Sequence, residues 1–325
     1  PMGGGKGGAN FDPTGRSDRE IMRFCTAFMT ELHRHIGPDI DVPAGDINVG
    51  AREIGYLFGA YRRITNEFEG ALTGKGQSYG GSALRTEATG YGLLHFVTHM
   101  LNQQDDTVEG KRIVISGAGN VATYAAEKAL ALGATVVSLS DSDGTLRFDD
   151  GLDQNVIEDV RAIKAKGGSL EELADRSGAE WVSDTAPWGL ACDVALPCAT
   201  QNEMDGDGAK SLIDSGCKLI AEGANMPLTA DAISRVNDAG VLFGPAKAAN
   251  AGGVAVSGLE IAQNRTRESR SRDTISEQLE DVMASVHEQC VEHGKRDDGS
   301  VDYAKGANIA AFKKIADAMI GQGIS

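Results

Sequence analysis

The length, composition and charge of the chain exclude several classes of protein. Its 325 residues, of which 41% are hydrophobic, are enough for two domains with a large core. A formal net charge of −16 argues against nucleic acid and anionic membranes as partners. No apolar run approaches the ~20 residues of a membrane span. The acidity fits either simple solubility or adaptation to high salt, and both interpretations stay open.

Cysteine and histidine usage predicts a cytoplasmic protein without a metal site. The five cysteines lie without CxxC spacing, as is typical of core residues in a reducing compartment, and the glycine-rich beginning does not look like a secretory leader. His95 and His99 stand four apart on a predicted helix, a spacing that suits two metal ligands. No third ligand with matching spacing accompanies them.

The chain begins with PMGGGKGG, a glycine-rich stretch around Lys6. Glycine lets the backbone adopt positive φ and approach a ligand closely. The stretch lacks the GxxxxGK[ST] spacing of a phosphate-binding loop. Two interpretations follow: a terminus with an ordinary lysine, or a Lys6 that is buried in a pocket and exchanges protons near neutral pH.

Apolar residues at helical spacing next predict a helix over Asp18–Ile36, with Ser17 as its N-cap. In the following IDVPAGDINVG, Asp41 and Asp46 flank a Pro-Ala-Gly turn. One of these carboxylates is a candidate general base. The alternative is an Asx turn that caps the next helix, which is predicted over Gly50–Arg63.

The glycine-rich stretch 73–81 is predicted to form a hinge, and a helix is predicted over Thr86–Leu101. The stretch 112–122, RIVISGAGNVA, then starts with a β-branched run that favours a strand buried on both faces. Val121–Leu132 reads as an Ala-rich helix. A strand, a Gly-x-Gly turn and a helix in this order predict the first unit of a dinucleotide-binding fold.

The residues of this turn are predicted to contact the cofactor. Gly117 makes the tight turn, Gly119 lets a pyrophosphate approach the backbone, and Ala122 still permits close helix–strand packing. The phosphates are expected at the helix N-terminus, beside Asn120 and Val121, because free N–H groups and the helix dipole favour anions there.

A second strand, Thr135–Ser140, ends in Asp141, where a ribose-contacting acid is expected. Short apolar runs at 193–197, 218–221 and 241–243 predict further parallel strands. Ligands of open α/β sheets bind outside the carboxyl ends of the strands, so the amides that follow these runs are candidates for the nicotinamide or ribose. They are Gln201, Asn202 and Asn225.

Helices are also predicted over Asp153–Lys166, Ala248–Gln263, Asp273–Glu292 and Ala304–Met319. The last of these is expected to pack through one apolar face. That face carries Ile309, Phe312, Ile315 and Met319.

Together these motifs resemble the hexameric glutamate dehydrogenases of the bacterial and fungal NADP type. The resemblance runs along the whole sequence and is carried by PMGGGKGG, DVPAGDINVGAREIGY, TGKGQSYGGS, LRTEATGYG, PCATQNE, EGANMP and KAANAGGVAVSGLEIAQN. It implies an α/β fold with a Rossmann-like dinucleotide-binding domain, a partial α/β substrate domain and an active site in the cleft between them. The implied boundaries are 1–80 for the substrate and oligomerisation domain, 81–300 for the nucleotide domain, and 301–325 for a last helix that returns to the first domain.

The resemblance also implies roles for individual residues. The family's catalytic lysine matches Lys6 and its catalytic aspartate matches Asp46. Its cofactor contacts match Thr89 and Asn120. Its substrate contacts match Gly45, Arg85, Asn250, Val254 and Ser257, of which Ser257 is expected near the substrate γ-carboxylate. The family carries a further N-terminal segment with substrate-binding lysines ahead of the glycine loop, so the substrate domain of this chain is expected to be partial.

The implied cofactor is NADP(H), with NAD(H) as the alternative. An acid at the end of the second strand usually favours NAD, because it accepts from the ribose 2′-OH, and Asp141 stands there. The 140–144 turn, however, resembles NADP-type members, in which the aspartate turns away and a serine matching Ser142 meets the 2′-phosphate. Lys164 matches a phosphate-contacting lysine of that group, and Lys166 is close in sequence.

The implied reaction is the reversible oxidative deamination of L-glutamate to 2-oxoglutarate and ammonia, by a cytoplasmic homohexamer. Asp46 suits the base that takes a proton from the α-amine, and Lys6 suits the cation that stabilises the carbinol oxygen. One alternative is a leucine, valine or phenylalanine dehydrogenase with an apolar pocket, against which Ser257 argues. Another is a non-catalytic nucleotide-binding subunit, against which the presence of both Lys6 and Asp46 argues.

Overall fold

The structure is a computed structural model that describes residues 2–46 and 48–324. The described chain forms two compact units. The first contains the residues up to Thr86 together with Val254–Gln278, and the second contains Glu87–Gly253 and the residues from Leu279 onwards. The predicted functional domains, 1–80, 81–300 and 301–325, stay a prediction.

Two amphipathic helices build the core of the first unit: helix α1 spans Asp18–Leu32 and helix α2 spans Ala51–Thr65. The predicted N-cap is confirmed, because the Ser17 hydroxyl accepts the Glu20 N–H while the Glu20 carboxylate accepts the Ser17 N–H. Helix α1 ends earlier than predicted, at Leu32, and a short 3-10 turn follows. The buried face of the two helices consists of Ile21, Cys25, Met29, Ile54, Leu57, Phe58 and Tyr61.

The second unit contains a seven-stranded sheet. Its strands are β1 Arg112–Ile115, β2 Thr135–Asp141, β3 Gly144–Arg147, β4 Glu180–Ser183, β5 Val194–Leu196, β6 Leu219–Ala221 and β7 Leu242–Gly244. The spatial order is β4-β3-β2-β1-β5-β6-β7; β1, β2, β5, β6 and β7 run parallel, while β3 and β4 pair antiparallel at one edge. The predicted α/β class with a Rossmann-like sheet is confirmed. The chain order reverses between β1 and β5, which is where such sheets bind ligands.

The remaining helices follow in chain order. They are α3 Ala88–Asn102, α4 Asn120–Ala131, α5 Gln154–Lys164, α6 Ala174–Ser177, α7 Gly206–Asp214, α8 Ala230–Asp238, α9 Ala246–Ala249, α10 Gly252–Thr266, α11 Arg272–Gly294 and α12 Tyr303–Gly321. Helices α3 and α4 pack closely, since a Cβ added at Gly90 would lie 2.5 Å from the Ala125 nitrogen and 2.8 Å from the Val121 oxygen. Gly90 directly follows Thr89 in α3, and Val121 belongs to the first turn of α4.

The predicted packing of the last helix is wrong for most of its apolar face. Phe312, Ile315 and Met319 are exposed, whereas only Ile309 of that face is half-buried. Helix α12 is anchored by its first turn instead, where Tyr303 packs against Phe96 and His287. Helix α12 belongs to the second unit. The later segment that belongs to the first unit is Val254–Gln278. An apolar stripe predicts a buried face but not that the partner lies within the described chain.

Candidate active site

Lys6 and Asp46, the predicted catalytic pair, are in direct contact in the first unit. Lys6 Nζ donates to Asp46 Oδ2 at 3.0 Å, although 40 residues separate them. The Lys6 side chain is 73% exposed and that of Asp46 is 44% exposed. The interpretation that places Lys6 in a buried pocket is therefore wrong for this structure. Lys6 instead forms an exposed ion pair with Asp46.

The backbone around Asp46 forms a narrow turn. The Asp46 N–H donates to the Val49 carbonyl at 3.1 Å, and the Val49 N–H donates to the Asp46 carbonyl at 2.9 Å. Gly45 fits because a Cβ there would lie 2.8 Å from the Val49 oxygen. The N-cap of α2 is Gly50 rather than an Asx turn, and the Asp46 carboxylate faces Lys6 instead.

Arg85 and Ser257, both predicted to contact substrate, lie in the first unit with little exposure. Arg85 Nε is buried without a hydrogen-bond partner among the described residues. Burial lowers the pKa of Arg85, and the charge of Glu260 opposes this effect. A buried guanidinium nitrogen without a partner is costly, so this position suits an anionic ligand. Val254, one turn before Ser257 on α10, is exposed.

The N-terminal stretch lies against the helix that carries Ser257. A Cβ added at Gly258 would lie 2.9 Å from the Met2 Cε. Met2, at the beginning of the stretch that carries Lys6, thus lies beside the middle of α10, one residue after Ser257.

The Gly-x-Gly turn of the second unit has the geometry that a pyrophosphate site requires. Gly117 adopts a φ of +87°, and a Cβ there would lie 3.0 Å from the Cys198 oxygen. The Gly117 N–H donates to the Ser140 hydroxyl at 3.0 Å, which ties the turn to β2. Gly119 is the N-cap of α4 and has no side chain to cap the helix, so the N–H groups at Asn120 and Val121 face the place predicted for an anion.

Asp141, at the end of β2, is held in its turn by several donors. Its carboxylate accepts Lys164 Nζ, the Leu170 N–H and the Asp143 N–H, each at 3.0 Å. Burial alone would raise the pKa of Asp141, but the N–H groups of Leu170 and Asp143 and the Lys164 ammonium outweigh it and the pKa is lowered. The carboxylate is thus ionised, turned into the protein and neutralised by Lys164. Ser142, at the tip of the turn, is exposed, as is Lys166.

Two loops meet beyond the carboxyl ends of β5 and β6. Asn250 Nδ2 donates to Asn225 Oδ1 at 2.9 Å and to the carbonyl oxygens of Gly223 and Ala224 at 3.3 Å. The Asn202 N–H donates to the Met226 carbonyl at 3.0 Å. The structure therefore brings the Asn225 and Asn250 side chains together and joins the Asn202 backbone to the same loop, while Gln201 and Asn202 are both exposed.

Three carboxylates with little exposure, two in the second unit and one in the first, were not predicted from the sequence. Glu203 accepts the N–H groups of Ala199 and Thr200, and Glu222 accepts those of Leu228 and Ala246. Glu260, in the first unit, accepts the Gly74 N–H and the Lys75 ammonium. The available signal was a charge placed directly after or within an apolar run, as in KLIAEGAN and GLEIAQ.

Sequence models of known protein families match most of this chain. A sequence model of Glutamate/Leucine/Phenylalanine/Valine dehydrogenase matches residues 80–323, and one of the Glu/Leu/Phe/Val dehydrogenase dimerisation domain matches residues 1–63. The chain belongs to the glutamate/leucine/phenylalanine/valine dehydrogenase family. It is thus an oxidoreductase, and the predicted resemblance is confirmed.

Relatives within the dehydrogenase family include proteins of different cofactor specificity. The chain is 51% identical to an NADP-specific glutamate dehydrogenase of Salmonella typhimurium, covering all of this chain and 72% of that protein. It is 50% identical to an NAD-specific glutamate dehydrogenase of Bacteroides fragilis, covering all of this chain and 73% of that protein. The solved structure of Plasmodium falciparum glutamate dehydrogenase is 48% identical, with a TM-score of 0.93 over 97% of this chain and 68% of that one.

Two kinds of feature are absent from the described residues, 2–46 and 48–324, of this dehydrogenase. No helix there is long and apolar enough to cross a membrane. Within the same ranges, no three His, Cys, Asp or Glu side chains are grouped so as to hold a metal ion.

Proposed function

We infer that the chain catalyses the reversible NADP-linked oxidative deamination of L-glutamate to 2-oxoglutarate and ammonia. The observation that carries this proposal is the contact between Lys6 and Asp46 in a chain about half identical to glutamate dehydrogenases over its whole length. The reaction needs a base and an adjacent cation at one carbon atom, and these two side chains supply both.

Asp46 and Lys6 divide the proton chemistry. Asp46 takes a proton from the α-ammonium of glutamate, so that the amine is neutral when its Cα loses the hydride. NADP, when bound, supplies the hydride acceptor. Water then attacks the iminium carbon, and the Lys6 ammonium stabilises the negative charge that develops on the carbinol oxygen before ammonia leaves. The 3.0 Å separation of the two side chains lets a proton pass between them.

The substrate is glutamate rather than leucine, valine or phenylalanine. Arg85, whose Nε is buried and has no hydrogen-bond partner in the described chain, suits an anion, and Ser257 adds a polar side chain that is also buried. Glutamate brings two carboxylates to such a site, whereas the apolar amino acids bring one and would leave a polar group of the pocket unpaired.

We propose NADP as the preferred cofactor because the Asp141 carboxylate already accepts hydrogen bonds within the protein. Three donors occupy its carboxylate, which leaves it poorly placed to accept from a ribose 2′-OH, and Lys164 cancels its charge. The repulsion that an acid at this position normally exerts on a 2′-phosphate is thereby reduced. The exposed Ser142 and Lys166 are further candidates to contact that phosphate.

The proposed assembly is a cytoplasmic homohexamer. It is supported by the match of residues 1–63 to a dimerisation domain and by the family resemblance. The five cysteines are all free and buried, as suits a reducing compartment. Phe24 and Phe28 of α1 are half-buried and stack in a row with Phe11, so part of this apolar surface already has partners within the chain. Light scattering of the full-length protein distinguishes a hexamer from a monomer or a dimer.

The direct test of the proposed function is the absorbance of reduced nicotinamide. The full-length protein is incubated with L-glutamate, L-leucine, L-valine or L-phenylalanine, each with NADP or NAD. The proposal predicts turnover with glutamate and NADP that exceeds every other combination. Faster turnover of an apolar amino acid, or binding of the cofactor without turnover of any amino acid, would contradict it.

A further inference from the structure

Glu222 is a buried carboxylate that the proposed reaction leaves without a role. It follows β6 directly, at the carboxyl edge of the sheet, and only 4% of the residue is exposed. Burial raises the pKa of Glu222, while the N–H groups of Ala246 and Leu228 and the charge of Lys247 act in the opposite direction. A carboxylate in such surroundings is costly unless its oxygens are hydrogen-bonded.

The two oxygens of Glu222 hold two different segments of the chain. Oε1 accepts the N–H of Leu228 at 3.3 Å, at the far end of the loop that begins with Gly223. Oε2 accepts the N–H of Ala246 at 2.7 Å, at the first residue of α9. Asn225 stands on the first of these segments, and Asn250 directly follows the second. One carboxylate thus ties together the two backbones that carry the paired amides.

The loop that Glu222 spans is strained at its tip and closely confined. Met226 adopts a φ of +51°, in the left-handed region that residues with a Cβ rarely occupy, and Asn202, which donates to its carbonyl, has a φ of +56°. A Cβ added at Gly223 would lie 2.5 Å from Cys198 Sγ. Conformations of this kind persist only where the surrounding contacts determine them, and the Leu228 contact of Glu222 is one of those contacts.

We propose that Glu222 is a positioning residue for the nicotinamide half of the cofactor. By fixing the N–H groups of Leu228 and Ala246 it sets the distance between the loop and α9, and so holds Asn250 Nδ2 against Asn225 Oδ1. The inference rests on the proposed function, in which NADP(H) is the cofactor, and on the prediction that Asn225 contacts its nicotinamide or ribose. Glu222 acts through these amides and contacts neither reactant itself.

The test compares the binding of two ligands to Glu222→Gln. The carboxamide keeps the size of the side chain but has one acceptor oxygen, so one of the two backbone N–H groups loses its partner. The ligands are NADPH and 2′,5′-ADP, which carries the adenine and the 2′-phosphate but no nicotinamide. The Kd of NADPH is expected to rise at least about tenfold, while that of 2′,5′-ADP stays within about twofold of the wild-type value.

The matched control is Asp193→Asn, the same chemical change at the amino edge of the same sheet. Asp193 Oδ2 accepts the Arg112 N–H at 2.9 Å. This variant is expected to leave the affinity for both ligands unchanged. If Glu222→Gln does not fold, Glu222→Asp, which keeps the charge but is shorter by one methylene, must show the same selective loss of NADPH affinity.

Three results would overturn the inference: unchanged NADPH binding in the folded Glu222 variant, an equal loss for both ligands, or the same selective loss in Asp193→Asn. These differ from a failure of the proposed function. A wild-type chain that binds neither NADPH nor 2′,5′-ADP would contradict the proposed cofactor and this inference with it.

Discussion

Lys75 Nζ donates to Glu260 Oε1 at 2.7 Å across 185 residues of sequence, and the two side chains are 1% and 0% exposed. Glu260 also accepts the Gly74 N–H at 3.0 Å. The pair therefore joins the glycine-rich 73–81 stretch to α10, the helix that carries Ser257, within the first unit. The stretch predicted as a hinge is fixed at this point by a buried charge.

Removal of the cation should strongly destabilise the protein. Lys75→Met removes the ammonium that contacts the buried Glu260 carboxylate, and breaking a buried pair in this way typically costs about 3–5 kcal/mol of the free energy of unfolding. The control is Lys210→Met, which breaks the exposed pair with Asp214 and should cost less than about 1 kcal/mol. Urea unfolding of both variants measures the difference. Equal losses would show that burial does not set the strength of the Lys75–Glu260 pair.

The cofactor preference should depend on Lys164 and Lys166. In the double variant Lys164→Ala, Lys166→Ala, the Asp141 carboxylate loses its counter-charge and repels a 2′-phosphate. The affinity for NADP should fall at least about tenfold, with the affinity for NAD little changed. Lys210→Ala is the control for the loss of a surface cation. An equal loss for NADP and NAD, or a wild-type protein that already prefers NAD, would assign the preference to Asp141.

Two buried histidines predict a loss of stability in mild acid. Burial lowers the pKa of His95 and of His287 to about 4, and their neighbours include His99, Lys128 and Glu280. The unfolded chain binds a proton at each histidine near the ordinary pKa of about 6.5, whereas the folded chain does so only near 4. The free energy of unfolding is therefore highest above about pH 6.5 and declines as the pH falls toward 4.

The expected decline is about 2 kcal/mol for each histidine between about pH 7 and pH 5. Other groups also titrate in this range, so the informative quantity is the change of slope. His287→Phe, at a position that packs against Phe96 and Tyr303, should flatten the plot of unfolding free energy against pH. An unchanged slope in this variant would show that His287 is not the source of the acid sensitivity.

The sequence predicted the strands and turn around Gly117 because their signals are local. A β-branched run, two glycines and an Ala-rich segment are adjacent in the chain, and β1, β2 and α4 lie within a residue or two of the predicted positions. Strands β3 and β4 were missed. Both are short and lie at one edge of the sheet. The turn at Ser142, which the sequence indicated only as a turn, joins β2 to β3, and the distant β4 then pairs with β3.

The candidate site was less predictable because its contacts are long-range. Lys6 and Asp46 were identified by family resemblance, but their direct pairing across 40 residues has no local signal. The carboxylates of Glu222 and Glu260 accept backbone N–H groups from distant segments, and no sequence motif predicts these contacts. The exposed face of α12 shows the same limit, since its periodicity contains no information about a partner.

The central claim, that Lys6 and Asp46 carry the proton chemistry, is tested most directly by the kcat of Lys6→Ala and Asp46→Asn in the full-length protein. General acid–base groups contribute roughly 10²–10⁴-fold, so each variant should lose activity on that scale while its affinity for NADPH stays near the wild-type value. Asp39→Asn, which removes an exposed carboxylate paired with Arg265, is the control and should keep its activity. Either catalytic variant retaining more than about half of the wild-type kcat would contradict the account.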